Sequence, residues 1–200
     1  MPLDALPPLA RSWVRAALDP AVVPTERRAD CSACPMVDDA ETAFLRDVRC
    51  CTYEPVLANF QVGAFFRDAD PALEPGRRRL AARIRARSGV TPLGIDRPPE
   101  YPLWRAADEG NFGRDAELAC GYLDASDDAR RCTVHRARNA VCATWFCKHE
   151  RAAIGGRFWL AVRAYLSAIE SALAHHCLHA LAIDDTALLA LTVEQDRPFQ

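Results

Sequence analysis

The sequence predicts a mainly α-helical single domain of several helices, built around an irregular cysteine-rich module. Three observations predict it. Phe158, Val162, Tyr165, Ile169 and Leu173 recur at i, i+4, i+7, i+11 and i+15, an apolar stripe along one long helix over residues 154–181. Eight of the nine cysteines fall within residues 31–151, in chain punctuated by Pro, Gly and charge. The 200 residues are 50 % hydrophobic and 26 % charged, enough to bury an apolar core without covalent staples.

The other elements follow in order. A short helical pattern over residues 9–18 ends at Asp19-Pro20. Pro55 opens a helix over residues 56–67, and residues 75–88 form a strongly basic helix stopped by Gly89. Residues 91–113, rich in Pro, Gly and charge, predict an irregular connection. Residues 118–147 predict short strands and turns. A last short helix begins at an N-cap in Asp184-Asp185 and runs to about Val193.

Composition narrows the function classes. A net charge of −2 advertises neither nucleic acid nor an anionic membrane as partner. The basic residues are arginines except for Lys148, which with abundant Ala and Pro points to a GC-rich bacterial genome. No basic segment followed by an unbroken apolar run opens the chain, and no stretch approaches the roughly 18 apolar residues of a membrane span. A cytoplasmic protein is expected. In that reducing compartment clustered cysteines indicate metal or redox chemistry more than disulfides.

Cys31-Ser-Ala-Cys34 is a CxxC, the spacing that lets two thiolates of one tight turn reach one metal. Cys120, then Cys132, Cys142 and Cys147 strengthen it. Soft thiolates select zinc, copper(I) or iron–sulfur chemistry. Cys50 and Cys51 are adjacent, and in an extended segment such neighbours point to opposite faces. They serve two metals, or two irons of one cluster, more easily than one ion. The alternatives are buried structural cysteines and a disulfide framework. Cys177, inside the long helix, is assigned to core packing.

Three blocks carry a family resemblance: Cys31-Ser-Ala-Cys34, Cys50-Cys51, and the run from Cys120 through RCTVHRARNAVCATWFCKHER to Arg151. In these the chain resembles the YkgJ-type cysteine-cluster family, the CxxCxxCC proteins regarded as zinc or iron chelators. Fifteen residues separate the CxxC from the Cys pair here, against two in the family name, and Arg138-Asn139 stands where the family has Arg-Pro. The resemblance implies a metal-binding region over residues 31–151. Its ligands would be Cys31, Cys34, Cys50, Cys51, Cys120, Cys132, Cys142 and Cys147, holding zinc or an iron–sulfur cluster. Some relatives are described as lysine methylases or iron–sulfur oxidoreductases, so a redox or protein-modifying enzyme is the alternative.

Other features are weighed beside these. His135 and His149 flank cysteines and could ligate or hydrogen-bond a cluster sulfur. His175, His176 and His179 form an HHxxH on a helix, but no acid accompanies them. GRRRLAARIRAR, residues 76–87, carries six arginines and no acid. Solvation or intramolecular pairing explains it first, and a protein partner docking on Arg77 to Arg87 second. Tyr122, Trp145, Phe146 and Trp159 could cover a cluster or simply pack in the core. No phosphate loop, nucleophile elbow or paired-carboxylate signature is present.

Overall fold

Two prolines and a short apolar face define the first helix. The computed structural model describes residues 2–27, 30–101, 110–126, 130–184 and 186–188. In it α1 spans Pro8–Ala17, with Pro8 in the first turn, where a missing N–H costs no hydrogen bond. It buries Ala10 and Val14. Strand β1, Leu57–Ala58, leads into α2, Asn59–Arg67. Gln61 Oε1 accepts the Ala58 N–H at 2.9 Å and closes the start of α2. Helix α3 covers Glu74–Arg85. Strands β2, Val90–Thr91, and β3, Gly94–Ile95, form a hairpin whose β3 also pairs antiparallel with β1, giving the order β1-β3-β2. A second ribbon pairs β4, Leu123–Asp124, with β5, Arg131–Cys132. A single helical turn α4, Ala140–Ala143, precedes the long helix α5, Ala152–Ala180. About 48 % of the described residues are helical against 6 % strand, so the fold is mainly α.

Four expectations are corrected. The apolar face of α5 is rotated in its first half: Trp159, Val162 and Leu166 are buried, and Tyr165 is 40 % exposed. Trp159 takes the inward position because its ring packs on Phe146 and its N–H finds the buried carboxylate of Glu26. Residues 90–95 form the small sheet instead of an irregular connection. There Gly94, at φ +147°, lies so close to β1 that a Cβ would sit 2.1 Å from the Leu57 carbonyl oxygen. Within residues 118–147, Asn139 caps a helical turn where strands and turns were expected, its side chain accepting the Cys142 N–H at 3.0 Å. Cys50 and Cys51 lie in a turn, not an extended segment, and their side chains hydrogen-bond each other. The last helix does begin at Asp184, which accepts the Ala187 N–H at 2.6 Å, but beyond Leu188 it lies outside the described residues.

Two apolar clusters hold these elements. One joins Leu3, Leu6, α1, α4 and the first half of α5 around Trp159. The other joins β1, α2, α3, β3, Tyr122 and Val134, with Cys120 and Cys132 packed against it. The cysteine-bearing segment runs from the second cluster, at Val134 and Ala137, to the first, at Ala140 and Ala143. Gly76 is another tight approach in the second cluster. A Cβ there would sit 2.2 Å from the Thr133 carbonyl oxygen and 2.7 Å from the Phe65 ring. Gly76→Ala is expected to destabilise the protein by about 1–3 kcal/mol, since backbone at Thr133 cannot give way cheaply. Urea titration reads this, and an unchanged midpoint would refute it.

Candidate metal centre

Each predicted cysteine is held by its own local device. Asp30 caps the CxxC turn, its Oδ1 accepting the Ser32 N–H at 3.0 Å. Cys51 N–H bonds the Val48 carbonyl at 2.9 Å, so the Cys50-Cys51 pair turns back on itself. Cys120 N–H then bonds the Cys51 carbonyl at 2.8 Å and ties the third block to the second. Cys132 sits on β5, opposite Leu123. Cys142 sits on α4, whose first N–H, from Ala140, is accepted by Glu170 of α5 at 3.1 Å. Cys147 is followed by Lys148, whose ammonium reaches Asp39 at 2.7 Å and bridges back to the loop after the CxxC.

These devices place several of the cysteines near one another. Cys31 has Cys50, Cys147 and Cys34 as electrostatic neighbours, and Cys147 has Cys50 and Cys34. Cys120 has Cys132 and Cys142, Cys142 has Cys132 and Cys50, and Cys132 has Cys50 and Cys31. Cys50 thus adjoins members from both ends of the sequence. All nine thiols are free and partly buried. Among the described residues no three His, Cys, Asp or Glu side chains form a ready metal-holding group. The thiols are neighbours without being closed on a common centre. Cys177 stands apart on α5, half-buried.

Burial sets the chemistry of the free thiols. It pushes Cys142 up to about 12 and, with the Cys50 and Cys34 thiols, Cys147 up to about 11. Cys120 is raised well above the ordinary value by burial and the Glu54 carboxylate, and Cys50 by its bond to Cys51 and by burial. At neutral pH these groups are thiols in the metal-free protein. A group whose folded pKa is raised contributes stability that is whole below its ordinary value of 9.0 and lost as pH rises toward the folded value. The metal-free protein is therefore expected to lose stability steadily between about pH 9 and 12. Thermal melts across that range read it, and a flat profile would contradict it.

Two arginines lie among these sulfurs. Arg138 is surrounded by Cys132, Cys142, Cys50 and Cys51, and its guanidinium donates to the carbonyls of His135 at 3.1 Å, Cys142 at 3.4 Å and Ala5 at 2.9 Å. Among the described residues it pairs with no carboxylate. Arg49, before Cys50, is 6 % exposed, acts on Cys31, and has its Nε and Nη1 buried without a hydrogen-bond partner. Buried charge without a counter-charge is costly. Thiolates would supply that counter-charge.

Glu54 was not anticipated. It is 3 % exposed, accepts the Gly121 N–H at 2.8 Å and pairs with Arg83 of α3, which also donates to the Tyr122 hydroxyl at 3.0 Å. Glu54 thereby clamps the Cys50-Cys51 turn onto the Cys120 turn. The Tyr101 hydroxyl supports it, donating to the Thr52 carbonyl at 2.6 Å. The only sequence signal was an acid three residues past the cysteine pair and directly before Pro55. Glu26 was missed as well. Its carboxylate accepts from Trp159 Nε1 and from the Glu150 N–H, both at 2.8 Å, and lies 3.6 Å from His149 Nδ1.

The basic helix is largely engaged within the fold. Arg79 donates to the carbonyls of Gly121 at 2.9 Å and Leu123 at 2.5 Å, and Arg77 reaches Glu74 at 3.0 Å and the Asp68 carbonyl at 2.7 Å. With Arg83 on Glu54, the helix holds the cysteine region in place. His135 is pushed down to about 4 by burial and by Arg138 beside it, so it is neutral at physiological pH. His175, His176 and His179 are exposed on α5, and His175 Nδ1 lies 2.8 Å from the Ser171 carbonyl oxygen. Of the aromatic residues, Tyr122 and Trp159 are core. Trp145 stacks edge-on against Phe112, which stacks on Phe44, linking the loop after the CxxC to the Cys147 segment.

Beside Cys147 the surface opens into a cleft of about 360 Å³, lined by Ala33, Pro35, Arg27, Lys148 and His149. Comparison with family models, curated proteins and solved structures gives no match. Among the described residues no helix is long and apolar enough to cross a membrane.

Proposed function

We propose that this protein binds metal through cysteine thiolates, as zinc or as an iron–sulfur cluster, in two sites or one multinuclear site. The residues are Cys31, Cys34, Cys50, Cys51, Cys120, Cys132, Cys142 and Cys147. The observation that carries the reading is that four of these thiols, Cys132, Cys142, Cys50 and Cys51, lie near Arg138, a cation with only carbonyl partners. Orphaned N–H groups on Arg49 fit the same picture. Eight neutral thiols give neither guanidinium a counter-charge. Eight thiolates on metal do, and N–H donation to sulfur then tunes the centre. Closed four-thiolate coordination makes the metal structural, and it would contribute folding energy directly. The resemblance to the YkgJ-type cysteine-cluster family and a cytoplasmic setting accord with this.

A second reading, a metal-dependent redox or protein-modifying enzyme, is favoured by one observation: the cleft that reaches Cys147. An enzyme needs such access, and a purely structural site does not.

The test is anaerobic purification followed by metal and sulfide analysis and an absorption spectrum. Iron with sulfide and broad visible absorption identifies a cluster, and a colourless protein holding zinc identifies zinc sites. A fully folded protein with eight titratable thiols and no metal would overturn the proposal.

A further inference from the structure

A second cavity, of about 180 Å³, lies between the first turns of α1, the later turns of α2, the turn at residues 136–138 and α5. Pro8, Leu9 and Trp13 of α1, with Ala64 and Phe65 of α2, give it apolar walls. Four charged residues also line it: Asp68, Arg136, Arg138 and Glu170. Two of these pair with each other, Arg136 reaching Asp68 at 3.2 Å. The other two have no counter-charge among the described residues. Glu170 accepts from the Gln61 amide at 2.8 Å and from the Ala140 N–H at 3.1 Å, both neutral donors. Arg138 donates only to the carbonyls of His135, Cys142 and Ala5. No ion pair joins Arg138 to Glu170. One cavity thus presents two half-buried charges of opposite sign, each without a partner and set apart from the other.

We infer that this cavity binds a small apolar α-amino acid as its zwitterion, the ammonium on Glu170, the carboxylate on Arg138 and the side chain against Trp13 and Phe65. Removing a charge from water without a counter-charge is costly, and a ligand carrying both signs relieves both residues at once. A simple amine would leave Arg138 unpaired beside a like charge, and a simple acid would do the same to Glu170. The hydrogen-bonding capacity is there. A guanidinium has five N–H donors, and the three carbonyl bonds leave one N–H on each terminal nitrogen of Arg138 for a carboxylate. Each Glu170 oxygen accepts one neutral donor and keeps a lone pair for an ammonium. Size limits the side chain. An apolar cavity of about 150 Å³ holds a benzene ring, so the space here suits a body like that of leucine or phenylalanine. Arg138 also lies near Cys132, Cys142 and the Cys50-Cys51 pair, so the ligand and the thiolates would draw on one guanidinium. The inference itself uses no sulfur and goes beyond the metal reading.

Isothermal titration calorimetry of the full chain, as purified, against L-leucine and L-phenylalanine tests this. Binding of at least one is expected. Leucinamide, which lacks the carboxylate, and isocaproate, which lacks the ammonium, should each bind at least about tenfold more weakly than leucine, the loss expected when one charged hydrogen-bonding partner is removed. Glu170→Gln should weaken leucine by about tenfold on the same ground and erase its preference over isocaproate. Ala64 is exposed and lines the cavity, so Ala64→Trp fills the mouth without entering the core and should abolish binding. No heat with either amino acid at millimolar concentration, analogues that bind as well as leucine, or unaltered binding in Ala64→Trp would each overturn the inference. The comparison of leucine with its two analogues uses the wild-type chain, so it stays decisive even where Glu170→Gln folds poorly. Metal and sulfide content, read separately, decides the thiolate reading whichever way the titrations fall.

Discussion

On the proposed thiolate reading, stripping metal from the protein with a strong chelator is expected to lower its melting temperature by about 8–16 °C. The magnitude comes from mass action. A ligand at about a thousandfold over its Kd, binding only the folded chain, stabilises by about 4 kcal/mol. For a chain of this size each kcal/mol moves the midpoint by about 2–4 °C. The direction comes from the site. Without metal, the thiols of Cys120 and Cys142 return to their buried neutral form, and Arg138 and Arg49 lose their counter-charge. Differential scanning of the metal-loaded and stripped protein at one pH reads the effect. Equal midpoints, with stripping verified by metal analysis, would show that the thiols contribute no metal-linked stability. Stripped protein should also show the loss of stability above about pH 9 described for the raised thiols, and the loaded protein should not, because its sulfurs carry no proton to lose.

Glu54→Ala is expected to destabilise the protein by about 3–5 kcal/mol, the range for breaking a buried ion pair and stranding the partner charge. The Glu54 side chain is 4 % exposed and that of Arg83 13 %, so solvent cannot take over either charge. Three donors converge on this region: Arg83 and the Gly121 N–H on the carboxylate, and Arg97 Nε on the Glu54 carbonyl at 3.0 Å. Glu54→Gln retains the shape and an acceptor for Gly121, and should cost clearly less. Arg83→Ala should resemble Glu54→Ala, and the double variant should fall well short of the sum of the singles, as interacting partners do. Additive losses would show that the pair acts independently. Because the same carboxylate fastens the Cys120 turn, Glu54→Ala is also expected to lower metal retention in proportion to the displacement of Cys120.

The apolar pattern was legible where a single element sets its own period. Residues 154–181 were recognisable as a helix because Phe158, Val162, Tyr165, Ile169 and Leu173 recur at helical spacing, 75–88 because Gly89 stops a basic run, and 56–67 because Pro55 opens it. The register of the long helix was misjudged by a step. Trp159 and Phe158 are equally apolar on paper, and only the carboxylate of Glu26, from a distant turn, makes Trp159 the inward one. The sheet of β1, β2 and β3 was missed because its strands are two residues long and are stabilised by pairing between residues far apart in sequence. Glu54, Glu26 and Arg49 were illegible for a related reason. A charged residue reads as surface until a partner or a burial is known.

The sequence by itself determined the mainly helical class, the positions of the long elements and the identity of the eight thiols, because these depend on local period and residue type. Only the tertiary structure decided that the cysteine pair sits in a turn tied to Cys120, and that Arg138 lies near Cys132, Cys142 and the pair and Arg49 near Cys31. Those facts depend on backbone hydrogen bonds such as that from Cys120 to Cys51, on the clamp from Arg83 to Glu54, and on contacts such as Arg138 to Ala5, 133 residues apart. No local propensity encodes such contacts, since each is made by groups whose separation is set by the whole chain.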